Sequence, residues 1–144
     1  MRTKAQNPFM QIAIEEALEG ISKGQGGPFG SVVVKDGTIL AVEGFEGTDE
    51  TIRRAGRLGG PGGVVVKVAK RGHDMRFDIP IIGTRTFKNL KKAGISCLAV
   101  EAKRSILLDR EELEKLAKKM GLAFLAIDAE AEAAAGEGEK IQRI

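Results

Sequence analysis

Between Glu46 and Gly83 the chain reads EGTDETIRRAGRLGGPGGVVVKVAKRGHDMRFDIPIIG, with carboxylates, bases and glycines set around one apolar run. That mixture suits a phosphorylated ligand with a divalent cation. Guanidinium and ammonium groups meet phosphate oxygens, and neighbouring carboxylates hold a hard cation. Glu46 and Asp49 flank a predicted helix start, where unpaired backbone N–H groups attract anions. In HDMRFD, Asp74, Arg76 and Asp78 share parity and would face one side of an extended chain. Two carboxylates so placed suit Mg2+ or Mn2+, and Arg76 between them suits a phosphate or keeps the acids ionised.

Each group also has a plainer reading. Thr48 or Asp49 can simply cap a helix, with Arg53 and Arg54 in surface salt links. HDMRFD can be a polar loop with one ion pair, and a lone loop histidine such as His73 is more often solvated than a base or a ligand. GGPGG precedes its strand, whereas a Walker A loop follows one, so these glycines serve a tight turn. Lys67 and Lys70 are three apart in a strand and point to opposite faces, one toward a phosphate and the other into solvent.

The elements that must position these residues follow from periodicity. Pro8 to Lys23 has helical apolar spacing and an acidic outer face. Ser31 to Val34 and Thr38 to Glu43 are strands joined by Lys35-Asp36-Gly37, a strong hairpin signal. A helix is predicted over about Glu50 to Leu58, a strand over Val64 to Ala69, and a helix from Thr84 or Thr86 to Gly94. Ile95 to Glu101 is a strand, Asp109 with Glu112 forms a capping box for a helix ending at Gly121, and Leu122 to Ile127 is the last strand. Residues 1–127 are expected to form one α/β domain, a three-layer α/β/α sandwich with a mixed sheet. The tail 128–144 is expected to be a frayed helix or disordered.

Composition narrows the function classes. A chain of 144 residues with 23 basic and 20 acidic side chains is long enough for one core and only mildly basic. Nucleic-acid binding is disfavoured, since there is no Trp or Tyr and no basic run interleaved with aromatics. The single cysteine, Cys97, excludes an internal disulfide framework and sits in the apolar run ISCLAV, as a buried thiol would. With no apolar stretch long enough to span a membrane and no secretory signal, a cytoplasmic protein is expected. A homodimer and peripheral membrane contact are both compatible with the sequence.

The motifs EGTD, IRRAG, GGVVVKVAK and DMRFDIPIIG resemble the C-terminal domain of UDP-2,3-diacylglucosamine pyrophosphatases of the LpxI type, over about Val32 to Ile127. The resemblance implies metal-dependent hydrolysis of the UDP-2,3-diacylglucosamine diphosphate to UMP and the diacylglucosamine 1-phosphate lipid, a step of lipid A biosynthesis. Asp74 and Asp78 would be the catalytic carboxylates, with Thr48, Arg53, Lys70 and Arg76 on the substrate and Glu46, Asp49 and Asp74 on Mg2+ or Mn2+. The family usually has Lys-Pro where this chain has Lys70-Arg71, which loosens that loop.

A second stretch, FMQIAIEEALEGISKGQGGPFGSVVVKDGTILA, is similar to the opening of nucleoside and guanine deaminases of the cytidine deaminase superfamily, over about Phe9 to Ala41. It implies a cytidine-deaminase-like arrangement. The zinc motifs of that superfamily, H-x-E or C-x-E and P-C-x-x-C, do not follow, so no zinc deaminase is expected. Either the two families share an architecture, or the chain is a chimera joined at a hairpin both possess. LpxI-type enzymes place a separate domain before this one, and no such domain is expected within these residues. The expectation is therefore a domain weak or inactive in isolation. The competing readings are an α/β scaffold, natural or engineered, without enzymatic activity, and a nucleotide-binding module.

Overall fold

Asp36 and Gly37 take φ of 49° and 74°, the paired left-handed conformation that lets a two-residue turn match the twist of its strands. The turn joins β1 (Phe29–Lys35) to β2 (Thr38–Val42) in an antiparallel ladder, with a register irregularity between Val33 and Val34. The computed structural model describes residues 29–69 and 79–127. The helix expected at Pro8 to Lys23 and the tail 128–144 lie outside the described residues.

Beyond the hairpin come α1 (Thr48–Gly59), β3 (Val64–Ala69), β4 (Ile81–Ile82), α2 (Thr84–Lys92), β5 (Cys97–Glu101), β6 (Ile106–Leu107), α3 (Arg110–Met120) and β7 (Ala123–Ile127). The main sheet has the order β2-β1-β3-β5-β7. β1 runs antiparallel to β2 and β3, while β3, β5 and β7 are mutually parallel. The mixed sheet is therefore as the sequence implies: a hairpin forces the first pair antiparallel, and helical crossovers force the rest parallel. β4 and β6 form a separate parallel pair that periodicity does not reveal, because each is two residues long.

Alternation divides the apolar residues between two faces. Val33, Val65, Leu98 and Val100 meet Ile52 and Ala55 of α1, Phe87 and Leu90 of α2, and Leu113 and Ala117 of α3. Phe87 and Phe124 stack edge to face at 5.3 Å on this side. Val32, Val34, Val66, Val68, Ala99 and Ile127 form a second buried cluster on the opposite side. Helices were expected on both faces; among the described residues all three cover the first. Both faces are nevertheless buried, as a three-layer sandwich requires.

Helix starts show where local signals are overruled. α3 follows the capping box, with the Asp109 carboxylate accepting from the Glu112 N–H at 3.2 Å and Gly121 left-handed at the other end. α1 does not follow its expectation. Its N-cap is Gly47, with no side-chain cap from Thr48 or Asp49, because the Thr48 hydroxyl is taken by a more distant carboxylate. α2 likewise starts from Gly83 without a side-chain cap.

Gly56 lets α1 and the end of α2 meet backbone to backbone. A Cβ there would stand 2.9 Å from the Ala93 carbonyl oxygen. Gly56→Ala gains roughly 1 kcal/mol of helix propensity but forces the helices apart, so it is expected to destabilise by about 1–2 kcal/mol in urea unfolding. Cys97 is buried, and burial raises its thiol from 9.0 to about 11. A pKa raised on folding stabilises below the unfolded value and loses that contribution as pH climbs. Stability should therefore fall between pH 9.0 and about 11, and Cys97→Ala should flatten that limb of a pH-dependent urea series.

Candidate active site

β1 and β3 are apolar apart from a few positions, so a polar residue inside them needs a partner. Ser31 lies opposite Lys67 in the β1–β3 ladder, and the Glu43 N–H donates to the Ser31 carbonyl at 2.9 Å. Glu43, Ser31 and Lys67 thus form a row across three strands, and their exposures are 9%, 0% and 8%. The Ser31 hydroxyl donates to the Glu43 carboxylate at 2.5 Å, and the Thr48 hydroxyl donates to the same oxygen at 3.0 Å. The first of these is short, in the range of hydroxyl–carboxylate bonds. Lys67 also has an interaction partner, so it is no solvated lysine.

The row marks the edge of the sheet where the parallel strands end. β3, β5 and β7 all point their carboxyl ends this way, and α1 starts beside it. In open α/β sheets this is the edge where ligands bind. The first turn of α1 adds the buried hydroxyl of Thr51, which donates to the Gly47 carbonyl at 3.0 Å and to Glu46 at 3.2 Å.

The predicted site residues separate into groups. Thr48 stands in the row. Glu46 does not face it freely: the Arg54 guanidinium grips its carboxylate through both Nε and Nη2 and holds it below the usual carboxylate range. Asp49 meets Arg85 at 3.4 Å. Arg53 pairs with Glu50 one turn earlier on α1, so the plainer reading of surface salt links describes Arg53 and Arg54. Lys70, His73, Asp74, Arg76 and Asp78 lie outside the described residues. Ser31 and Glu43 were not singled out as site residues from the sequence, whereas Lys67 was weighed with Lys70 as a phosphate contact. The signal for Ser31 and Glu43 was present in SVVVK and AVEG, a polar residue opening the first apolar run and another closing the second.

Among the described residues no three His, Cys, Asp or Glu side chains gather as a metal site would. Glu46 is already saturated by Arg54 and Thr51, which does not fit a cation ligand. Asp49, in a single exposed ion pair, is the described carboxylate that fits better. Cys97 opens β5 at the opposite edge of the sheet.

The fold is that of the cytidine deaminases. A dCMP deaminase from the cyanophage S-TIM5 superposes with a TM-score of 0.50 and 14% identity, over 85% of this chain and 100% of that one. The protein NE0047, solved with 2,6-diaminopurine, superposes with a TM-score of 0.55 and 12% identity, over 93% of this chain and 85% of that one. These likenesses concern architecture. The chain belongs to the LpxI C-terminal domain family, whose model matches residues 4–125. It is 36% identical over 104 residues to the UDP-2,3-diacylglucosamine pyrophosphatase LpxI of Caulobacter vibrioides, covering 67% of this chain and 37% of that protein. A 33-residue stretch is 54% identical to the guanine deaminase of Bacillus subtilis, covering 23% of this chain and 21% of that enzyme. The chain thus spans well under half the length of the curated relatives it matches. The family match takes in the deaminase-like opening and the remainder in one span.

Removing the Glu43 carboxylate strands two hydroxyls, Ser31 and Thr48, at buried or half-buried positions. Glu43→Ala is expected to cost about 2–3 kcal/mol in urea unfolding, and Glu43→Gln distinctly less, because its amide oxygen can still accept from both.

Proposed function

We propose that this chain is the catalytic-side domain of a pyrophosphatase that hydrolyses UDP-2,3-diacylglucosamine to UMP and diacylglucosamine 1-phosphate. Family membership supplies the substrate class. The observation that carries the placement is the polar row Glu43–Ser31–Lys67 at the carboxyl edge, with the start of α1 beside it. Exposed apolar side chains at the same edge favour a lipid substrate. Phe45 lies between Glu43 and Thr48, and Ile81, Ile106 and Leu108 lie on or beside β4 and β6.

In this reading the diphosphate lies across that edge. The first N–H groups of α1 and the Thr48 hydroxyl meet phosphate oxygens. Residues 70–78 leave β3 at Ala69, at this edge, and rejoin described chain at Ile79, so Lys70 and Arg76 are proposed as further phosphate contacts. Asp74 or Asp78 orients the water. Its oxygen bonds to phosphorus, the bridging P–O bond breaks, and the carboxylate takes up the proton released. A divalent cation, Mg2+ or Mn2+, would neutralise charge developing on the phosphoryl oxygens, with Asp74 and Asp49 as its proposed ligands. Positioning supplies roughly 7–11 kcal/mol of a typical barrier. A chain spanning 37% of its relative is therefore proposed to turn over weakly by itself.

A UMP-release assay with Mg2+ or Mn2+ tests this, run beside thermal unfolding by circular dichroism. A cooperative melt with slow UMP release, abolished by Asp74→Ala without loss of the melt, is the expected result. Release unaffected by both Asp74→Ala and Asp78→Ala would exclude these residues. No release and no binding of UDP would leave the chain an inactive scaffold.

A further inference from the structure

α1 reaches from one edge of the sheet to the other. It starts at Thr48, which bonds Glu43 on the carboxyl edge, and ends at Gly59, whose carbonyl accepts from Lys35 beside the hairpin turn. α2 ends near the same edge, since Gly94 leads directly into β5. Between these two helices is a cleft of about 500 Å³ lined by Arg53, Gly56, Arg57, Asn89, Lys92 and Ala93. Arg57 lies about 13 Å along the helix axis from Thr48, so the cleft is distinct from the polar row.

Its construction is asymmetric in charge. The floor is small, because Gly56 and Ala93 touch there. The walls carry three cationic side chains, and among the described residues no carboxylate lines the cleft. Arg53 and Arg57 stand at i and i+4 on α1, a like-charge spacing that destabilises a helix. Glu50 offsets Arg53. Arg57 and Lys92 complement the carbonyl ends of their helices, which explains two cations. It does not explain Asn89, a residue of the same cleft whose buried Nδ2 has no hydrogen-bond partner among the described residues. A buried amide left unpaired is costly, and a ligand oxygen would satisfy it.

We infer that this cleft binds a phosphate or diphosphate group. Guanidinium and ammonium side chains line one space together with Asn89, and a tetrahedral anion offers acceptor oxygens to several such donors at once. The volume falls in the range of small-ligand sites. A carboxylate would satisfy fewer of the donors. The proposal does not depend on the pyrophosphatase reading, because the two sites use different residues at opposite edges of the sheet.

The test titrates the full chain with inorganic pyrophosphate and, separately, with vesicles of phosphatidate or of phosphatidylcholine. Pyrophosphate is expected to shift the backbone amide signals of Gly56 and Ala93 and the side-chain amide of Asn89 in a 15N spectrum. Arg57→Glu with Lys92→Glu should weaken binding roughly tenfold or more, while Lys118→Glu on exposed α3 should change it little. If pyrophosphate is inert but phosphatidate vesicles, and not phosphatidylcholine vesicles, retain the chain through Arg57 and Lys92, the phosphate belongs to a lipid headgroup. Inertness to both probes would overturn the proposal. So would equal weakening by Lys118→Glu, which would mark a net-charge effect. The wild-type shift map decides the matter even if the double variant fails to fold.

Discussion

A buried carboxylate organises this domain. Glu43 follows β2 directly, and its backbone extends the β1–β2 ladder through Ser31. Its side chain then binds the Ser31 hydroxyl on one strand and the Thr48 hydroxyl at the start of a helix. One side chain thereby fixes the end of a strand pair, the entry of α1 and the polarity of the sheet's carboxyl edge. An isolated carboxylate in so apolar a place would be prohibitively costly, so the hydroxyls and the carboxylate require one another. Hydrogen bonds to charged groups contribute about 1.5–3 kcal/mol each. That is large against the total of about 5–15 kcal/mol that holds a domain of this size.

The same layer serves two kinds of surface. At the carboxyl edge the parallel strands stop, helices begin, and buried hydroxyls and charges gather near exposed apolar side chains. At the amino edge helices end, cations accumulate, and Gly56 and Ala93 bring two helices into contact. α1 belongs to both, and its amphipathic pattern reconciles them: Thr51, Ile52 and Ala55 face the core while Arg53 and Arg57 face outward.

What could be read from residues alone was local. The Asp36-Gly37 hairpin and the Asp109–Glu112 capping box depend on residues a few positions apart, and both are as their types require. The unbroken apolar runs Val32 to Val34 and Val64 to Val66 marked strands, and their residues divide between the two core clusters. The departures come from distance. Thr48 was legible as a cap, but its hydroxyl is claimed by a residue brought near by the hairpin's register. The row of Glu43, Ser31 and Lys67 depends on which residues stand opposite one another across three strands, and no local pattern specifies that. β4 and β6 pair across more than twenty residues of chain and are too short to show periodicity. Of the residues expected to do chemistry, Thr48 stands beside the row through its bond to Glu43, whereas Glu46 is held by Arg54.

Arg54 has a consequence for how copies of this chain coexist. Among the described residues β2 is the outer strand of its sheet, with Ile39 and Val42 exposed. Such a border offers unpaired backbone groups and apolar side chains to any passing strand, the usual seed of edge-to-edge aggregation. Arg54 donates to the Val42 carbonyl at 3.0 Å while anchored to Glu46. A fixed, bulky, charged group thus occupies the acceptor at the end of the border strand. The ion pair that removes Glu46 from the chemistry of the site acts as a gatekeeper, making it costlier for the sheet to grow by recruiting its neighbour.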